Sequence, residues 1–309
     1  MKSQTTKIQA AAALAVILAG SYTFAQSSTV STPAASASTV ASTSTMTSST
    51  SLNELKPGAK KFGAVFVSQG FVTAKDIEAH GTGNAAYTSE NAIGINYKLT
   101  EKVKVELEHL FAYTFNRASM VADPLDYQTQ AYIVRSPVAL VSYASDQRIA
   151  GSDPIGYKAR FYFGVDDASK KANRRGVLRF DAATTWNLNT LVSIDVALSP
   201  RFSFYNENAK EGSESLMRLV AGPQANLNFS DKVSAYYAPT LDLRTMDTMN
   251  RAQARFEKLN SLIHEVGMNF TAGPVTVNPA YATTVDLNTG AGFQQIDSTE
   301  YDLNIIAAF

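Results

Sequence analysis

Six basic side chains carry the strongest chemical signal in this sequence: Lys158, Arg160, Arg179, Arg201, Arg218 and Arg244. Each sits at an alternate position of a segment rich in Val, Ile, Phe and Tyr, so all six are expected on one face of a sheet. Counted from the nearest short turns, Arg179, Arg201, Arg218 and Arg244 lie toward the same end of their segments and are expected to form an arc at one height. A guanidinium presents a planar fork that matches a carboxylate or phosphate bidentately, so such an arc would guide anions through a constriction. Asp181, Asp195, Asp242 and Glu265 share that face and would neutralise the arginines as cross-strand pairs. Both readings stand at this point.

Other candidate chemistry is thinner. The chain has 3 His residues. His109 and His264 fall on the opposite, apolar face, and neither has a serine one or two positions away on that face, which argues against a hydrolase built on a Ser–His pair. His80 adjoins Gly81-Thr82-Gly83, but that cluster lacks the strand before it and the helix after it that a phosphate-binding loop needs. Glu106 and Glu108 resemble a catalytic carboxylate pair, yet Lys102 and Lys104 share their face, so a salt-bridged wall is expected. With 0 Cys and no clustered ligands, no metal or cofactor is expected. The formal net charge of +0, from 27 basic and 27 acidic residues, excludes a chain that binds nucleic acid by bulk charge.

These side chains must be held by strands. From about residue 60 the chain reads as period-two segments joined alternately by tight and by longer polar connections. The expected strands are 62–73, 91–99, 102–116, 127–136, 155–165, 176–188, 191–205, 216–229, 232–245, 259–272, 275–286 and 299–309, with 137–154 ambiguous between a continuation, a separate strand and a long turn. The tight joins are Thr100-Glu101, Asn189-Thr190, Ser230-Asp231 and Gly273-Pro274. In the third segment Val103, Val105, Leu107, His109, Phe111, Tyr113 and Phe115 share one face. Aromatic residues fall near both ends of the segments: Tyr97, Trp186, Phe229, Phe270 and Phe309 at one, Phe111, Tyr113, Phe115, Phe180, Phe202 and Phe204 at the other.

The last segment runs Tyr301, Leu303, Ile305, Ala307, Phe309 on one face and Asp302, Asn304 on the other. That ending, the sorted connections and the two aromatic belts resemble the bacterial outer-membrane β-barrels of porin and channel type. The resemblance implies an all-β fold: a transmembrane antiparallel up-and-down β-barrel of about twelve strands, with ten or fourteen as alternatives. It implies passive diffusion of small hydrophilic solutes through a narrow pore, with anions or acidic sugars as candidates. It also implies contact with outer-membrane lipid and lipopolysaccharide, and recognition by the barrel assembly machinery through Phe309. A barrel with a closed lumen that serves as a structural or surface-interaction element is the alternative.

Residues 1–25 carry Lys2 and Lys7, an apolar run from Ala10 to Gly20 and a small residue, Ala25, as a secretory signal peptide does. Residues 26–59 include a Ser/Thr/Ala/Val tract from 27 to 51 without charge or aromatic side chains, expected to be a disordered periplasmic linker. Residues 60–309 are expected to form the barrel.

Overall fold

The computed structural model describes residues 61–73, 86–116, 132–206, 213–248, 255–287 and 299–309. The expected signal peptide, the linker and the His80 glycine cluster lie outside them.

Thirteen strands form in chain order: β1 Phe62–Thr73, β2 Ala86–Lys98, β3 Val103–Asn116, β4 Tyr132–Val134, β5 Val138–Ala144, β6 Gly156–Phe163, β7 Arg174–Asn187, β8 Val192–Tyr205, β9 Ser213–Ser230, β10 Val233–Thr248, β11 Arg255–Ala272, β12 Val275–Asp286 and β13 Thr299–Ala308. A short helix, α1 (Asp167–Lys171), lies between β6 and β7, its first turn capped by the Asp166 carboxylate, which accepts from the Ser169 N–H at 2.8 Å. Every strand pairing is antiparallel, and β4 and β5 both pair with β3, so the two are halves of one barrel strand. The architecture is an all-β, closed, antiparallel 12-strand barrel.

In the fourth barrel strand the structure selects the continuation among the three alternatives open for 137–154. Its stretch Val138–Ala144 continues the strand that the sequence places at 127–136, and residues 127–131 lie outside the described ones. Phe111 faces Val134, but Glu108 faces Val138, so the register shifts by one residue across Arg135-Ser136-Pro137. Pro137 has no N–H to give the ladder, and a bulge is the local solution. Several other strands begin earlier than the apolar pattern indicates: β2 starts at Ala86 rather than 91, and β11 at Arg255 rather than 259.

The tight turns share one device. Thr100 Oγ1 accepts from the N–H groups of Lys102 and Val103 at 3.2 and 3.0 Å. Asn189 Oδ1 does the same for Leu191 and Val192, both at 2.8 Å, and Ser230 Oγ for Lys232 and Val233 at 3.2 and 3.1 Å. A short polar side chain thus satisfies two backbone donors that the ladder leaves open. Gly273 takes the fourth turn at φ 58°. The connection 145–155 is on the same end of the barrel but is long. It is fastened by Ser145 Oγ to Ile155 O (2.8 Å), Arg148 Nη1 to Ser152 O (3.0 Å) and the Asp153 N–H to Thr185 O (2.7 Å).

Closure is made by the first and last strands. β1 pairs with β13 from Val65 opposite Ala308 to Thr73 opposite Glu300. Beyond that register, Ala64 N–H donates to Phe309 O at 3.0 Å and Phe309 N–H to Ala64 O at 2.9 Å. Closure pairs every strand but the short β4 on both sides, so in the hydrocarbon of a bilayer the backbone groups of those strands find partners within the protein.

The two faces sort by polarity. On β13, Tyr301 and Leu303 are 45% and 46% exposed, whereas Asp302 and Asn304 are 7% and 2% exposed. The same holds on β11, where Val266, Met268 and Phe270 face out and Glu265 is buried within. Phe180, Phe202, Phe204, Phe229, Phe270 and Phe309 are all exposed on the outer surface, as the two aromatic belts require. No described helix is long and apolar enough to cross a membrane.

Candidate functional site

The inner face of β6 to β10 carries the basic side chains. Arg160 stands opposite Arg179, Arg179 opposite Arg201, Arg201 opposite Arg218, and Arg218 opposite Arg244. Five arginines on five consecutive strands therefore occupy a single cross-strand row. Lys158 lies one inward position from Arg160, in register with Asp181.

The row runs perpendicular to the strands. Strands of a closed barrel tilt by roughly 35–45° to its axis, so a line drawn perpendicular to them climbs. Four steps of about 4.8 Å between strands make a row roughly 19 Å long, which rises on the order of 12 Å from one end to the other. The guanidinium groups thus form an oblique ramp along the lumen wall. Seen from residue counts alone, the tilt has no signature.

Two carboxylates divide the row. Asp181 receives Arg179 Nε at 2.6 Å and lies 3.2 Å from Arg160 Nε, and Ser199 Oγ also donates to it at 2.7 Å. Asp242 takes the Arg218 fork bidentately at 2.7 Å on each oxygen and Arg244 through Nε and Nη2 at 3.1 and 2.7 Å. Asp242 is 1% and Arg179 3% exposed, so the Arg179–Asp181 and Arg218–Asp242 contacts are buried, hydrogen-bonded pairs rather than loose surface contacts. Five guanidinium groups against two carboxylates leave an excess of three positive charges on this part of the wall.

The other two acids expected to neutralise the arginines are engaged elsewhere. Asp195 accepts from Thr185 Oγ1 at 2.5 Å and from Asn226 Nδ2 at 2.8 Å. Glu265 accepts from the Tyr236 hydroxyl, which also touches Asn278, and Asn278 in turn accepts from Asn304 Nδ2 at 3.0 Å. This network spans β10 to β13, and the sequence reading missed it; its only trace was polar residues at alternate positions. Gly267 makes room for it, since a Cβ there would lie 2.5 Å from the Tyr236 ring.

Beside the row, Lys104 Nζ lies 3.3 Å from Glu106, and Glu108 is on the same face. The salt-bridged wall expected at these positions is present in that pair. Lys102 instead forms an ion pair with Asp146 in the long turn. On the outer surface, His264 Nδ1 shares a 2.7 Å hydrogen bond with the Tyr237 hydroxyl, and His109 stacks on Phe111 at 6.0 Å. No group of three or more potential metal ligands occurs among the described residues.

A comparison with solved structures follows from this geometry. An outer-membrane channel from Pseudomonas putida matches with a TM-score of 0.53 at 10% identity, over 82% of this chain and 99% of that one. The chain has the fold of an outer-membrane β-barrel channel. The NanC porin matches with a TM-score of 0.45 at 10% identity, over 79% of this chain and 98% of that one. The KdgM porin, solved in complex with disordered oligogalacturonate, gives 0.42 at 9% identity, over 80% and 99%. No protein-family model matches the sequence, and no curated protein does.

Proposed function

We propose that the protein is an integral outer-membrane channel for passive diffusion of small hydrophilic solutes, with a preference for anions. The observation that carries this reading is a closed barrel whose outer face is apolar and whose inner face bears a ramp of five arginines with only two aspartates among them. In a narrow lumen an excess of guanidinium charge acts at short range, so it favours entry of anions over cations. Outer-membrane lipid and lipopolysaccharide surround the apolar face, the barrel assembly machinery engages the strand ending at Phe309, and residues 26–59 sit in the periplasm. No enzymatic step is assigned to it.

The test is single-channel recording of the purified protein in planar bilayers. Discrete conductance steps with a reversal potential displaced toward the chloride potential in a KCl gradient support the reading. A second reading, a barrel with a closed lumen, is favoured by one observation: inward side chains such as Thr240, Asp242, Asn278 and Asn304 are at most 2% exposed. Correctly inserted protein that never conducts would establish that alternative.

A further inference from the structure

Resting on the channel reading above, we propose that the ramp offers one binding seat for a single carboxylate, and that Arg201 is that seat. Arg160 and Arg179 converge on Asp181, while Arg218 and Arg244 converge on Asp242. Arg201 lies between these two units and forms no ion pair among the described residues. Its Nε is buried and has no hydrogen-bond partner. A buried donor left unmet destabilises its surroundings, and Arg201 faces like charge on both sides, from Arg179 and Arg218. A bound anion relieves both penalties at once.

Lys158 also lacks an ion pair, but its surroundings differ. Glu106 and Glu108 stand with Lys104 on the strand beyond β5, so two carboxylates face two ammonium groups there. Arg201 lies in the field of Asp181 but forms no ion pair with it among the described residues. The Tyr162 phenol, on the inner face of β6 near Arg160, Arg179 and Arg201, supplies a further polar wall.

The chemistry fixes the ligand class. A carboxylate meets the guanidinium fork with two parallel hydrogen bonds, and each flanking guanidinium is already engaged by an aspartate, Arg160 and Arg179 through Nε and Arg218 and Arg244 through Nε and Nη2. The seat therefore takes one carboxylate group at a time, and a small monocarboxylate fits it. Asp181 and Asp242 determine specificity, because they hold four of the five arginines out of solute binding.

The experiment uses the full folded barrel, with glucuronate as probe and glucose as its uncharged match in size. Titration calorimetry in detergent at low ionic strength measures binding without needing conduction, and bilayer recordings measure passage separately. The expected result is one glucuronate per barrel and no glucose, with affinity falling about tenfold or more in Arg201→Gln and much less in Arg218→Gln. Asp242→Asn, which frees two forks, is expected to raise the number of glucuronate molecules bound. Should Arg201→Gln fail to assemble, Arg201→Lys keeps the charge and removes the fork, and a clear loss of affinity is again expected. Several equivalent sites in the wild type, no binding at all, or equal losses from Arg201→Gln and Arg218→Gln would overturn the proposal. A barrel that binds glucuronate at Arg201 but never conducts would overturn the channel reading alone.

Discussion

Arg201 and Arg218 stand directly opposite each other across β8 and β9, yet only Arg218 is held by a carboxylate, bidentately at 2.7 Å. Like charges in register repel, and the sheet tolerates this pair because Asp242 neutralises one member. The row of five arginines is thus two units, each of two arginines sharing one aspartate, with an unpaired arginine between them.

Replacing both Arg201 and Arg218 by Gln removes charge from the inner face and leaves the lipid face untouched. The reversal potential in a KCl gradient should move toward cation preference, with most of the shift already present in Arg201→Gln. The effect should be largest at low ionic strength, because the Debye length is about 30 Å at 0.01 M and only about 3 Å at 1 M. An unchanged potential at low salt in an open channel would assign the arginines a structural role.

Asp242→Asn leaves two guanidinium groups of the inner wall without their carboxylate. Unfolding by denaturant in lipid vesicles should show a loss of about 1–3 kcal/mol, the cost of leaving buried polar groups without their partners. The barrel should still assemble, since its outer face and turns are unchanged. Stability equal to wild type would mean that water replaces the carboxylate fully.

Phe309 contributes two backbone hydrogen bonds to the seam with Ala64, at 2.9 and 3.0 Å. Deleting it should lower the fraction of protein that runs as the folded, heat-modifiable band in cold gel electrophoresis. Phe309→Ala keeps those backbone bonds and removes only the exposed ring. Equal loss in both variants would point to recognition of the aromatic side chain, and loss in the deletion alone to the seam.

At Gly222 the backbone of β10 leaves no space for a side chain: a Cβ there would lie 2.2 Å from the Pro239 carbonyl oxygen. The register is also skipped here, between Tyr237 opposite Ala225 and Leu241 opposite Ala221, where Pro223 and Pro239 have no N–H to offer. Gly222→Ala should cost about 1–3 kcal/mol or more, because backbone rather than a flexible side-chain end must yield. Comparable midpoints of urea unfolding for the variant and the wild type would refute this.

Removing residues 27–51 behind an intact signal peptide should leave assembly and conductance as they are, since an uncharged Ser/Thr tract offers no apolar surface for docking. A large rise in conductance on removal would instead identify the tract as a plug.

Much of this protein is legible in its sequence because the signals are local. Alternation of period two sorts Tyr301 and Leu303 from Asp302 and Asn304, whatever strand lies next to them. Thr100, Asn189 and Ser230 mark turns because each oxygen reaches backbone donors two and three residues ahead. The inward face of each arginine follows from the same parity. The fourth barrel strand was ambiguous because Pro137 interrupts its pattern, and only pairing with β3 shows that its two halves are one strand.

What parity cannot supply is register and tilt. Whether Arg218 meets Asp242 or Asp195 depends on how β8, β9 and β10 slide past one another, a matter fixed by closure of the whole sheet rather than by any segment. The same closure tilts the strands and makes the row a ramp. It also brings Tyr236, Glu265, Asn278 and Asn304 from four strands into one network, and it leaves Arg201 between two aspartates without an ion pair to either. The sequence determined which residues face the lumen; the tertiary structure decided which of them are free to act there, because ion pairing is set by distances between strands and not along them.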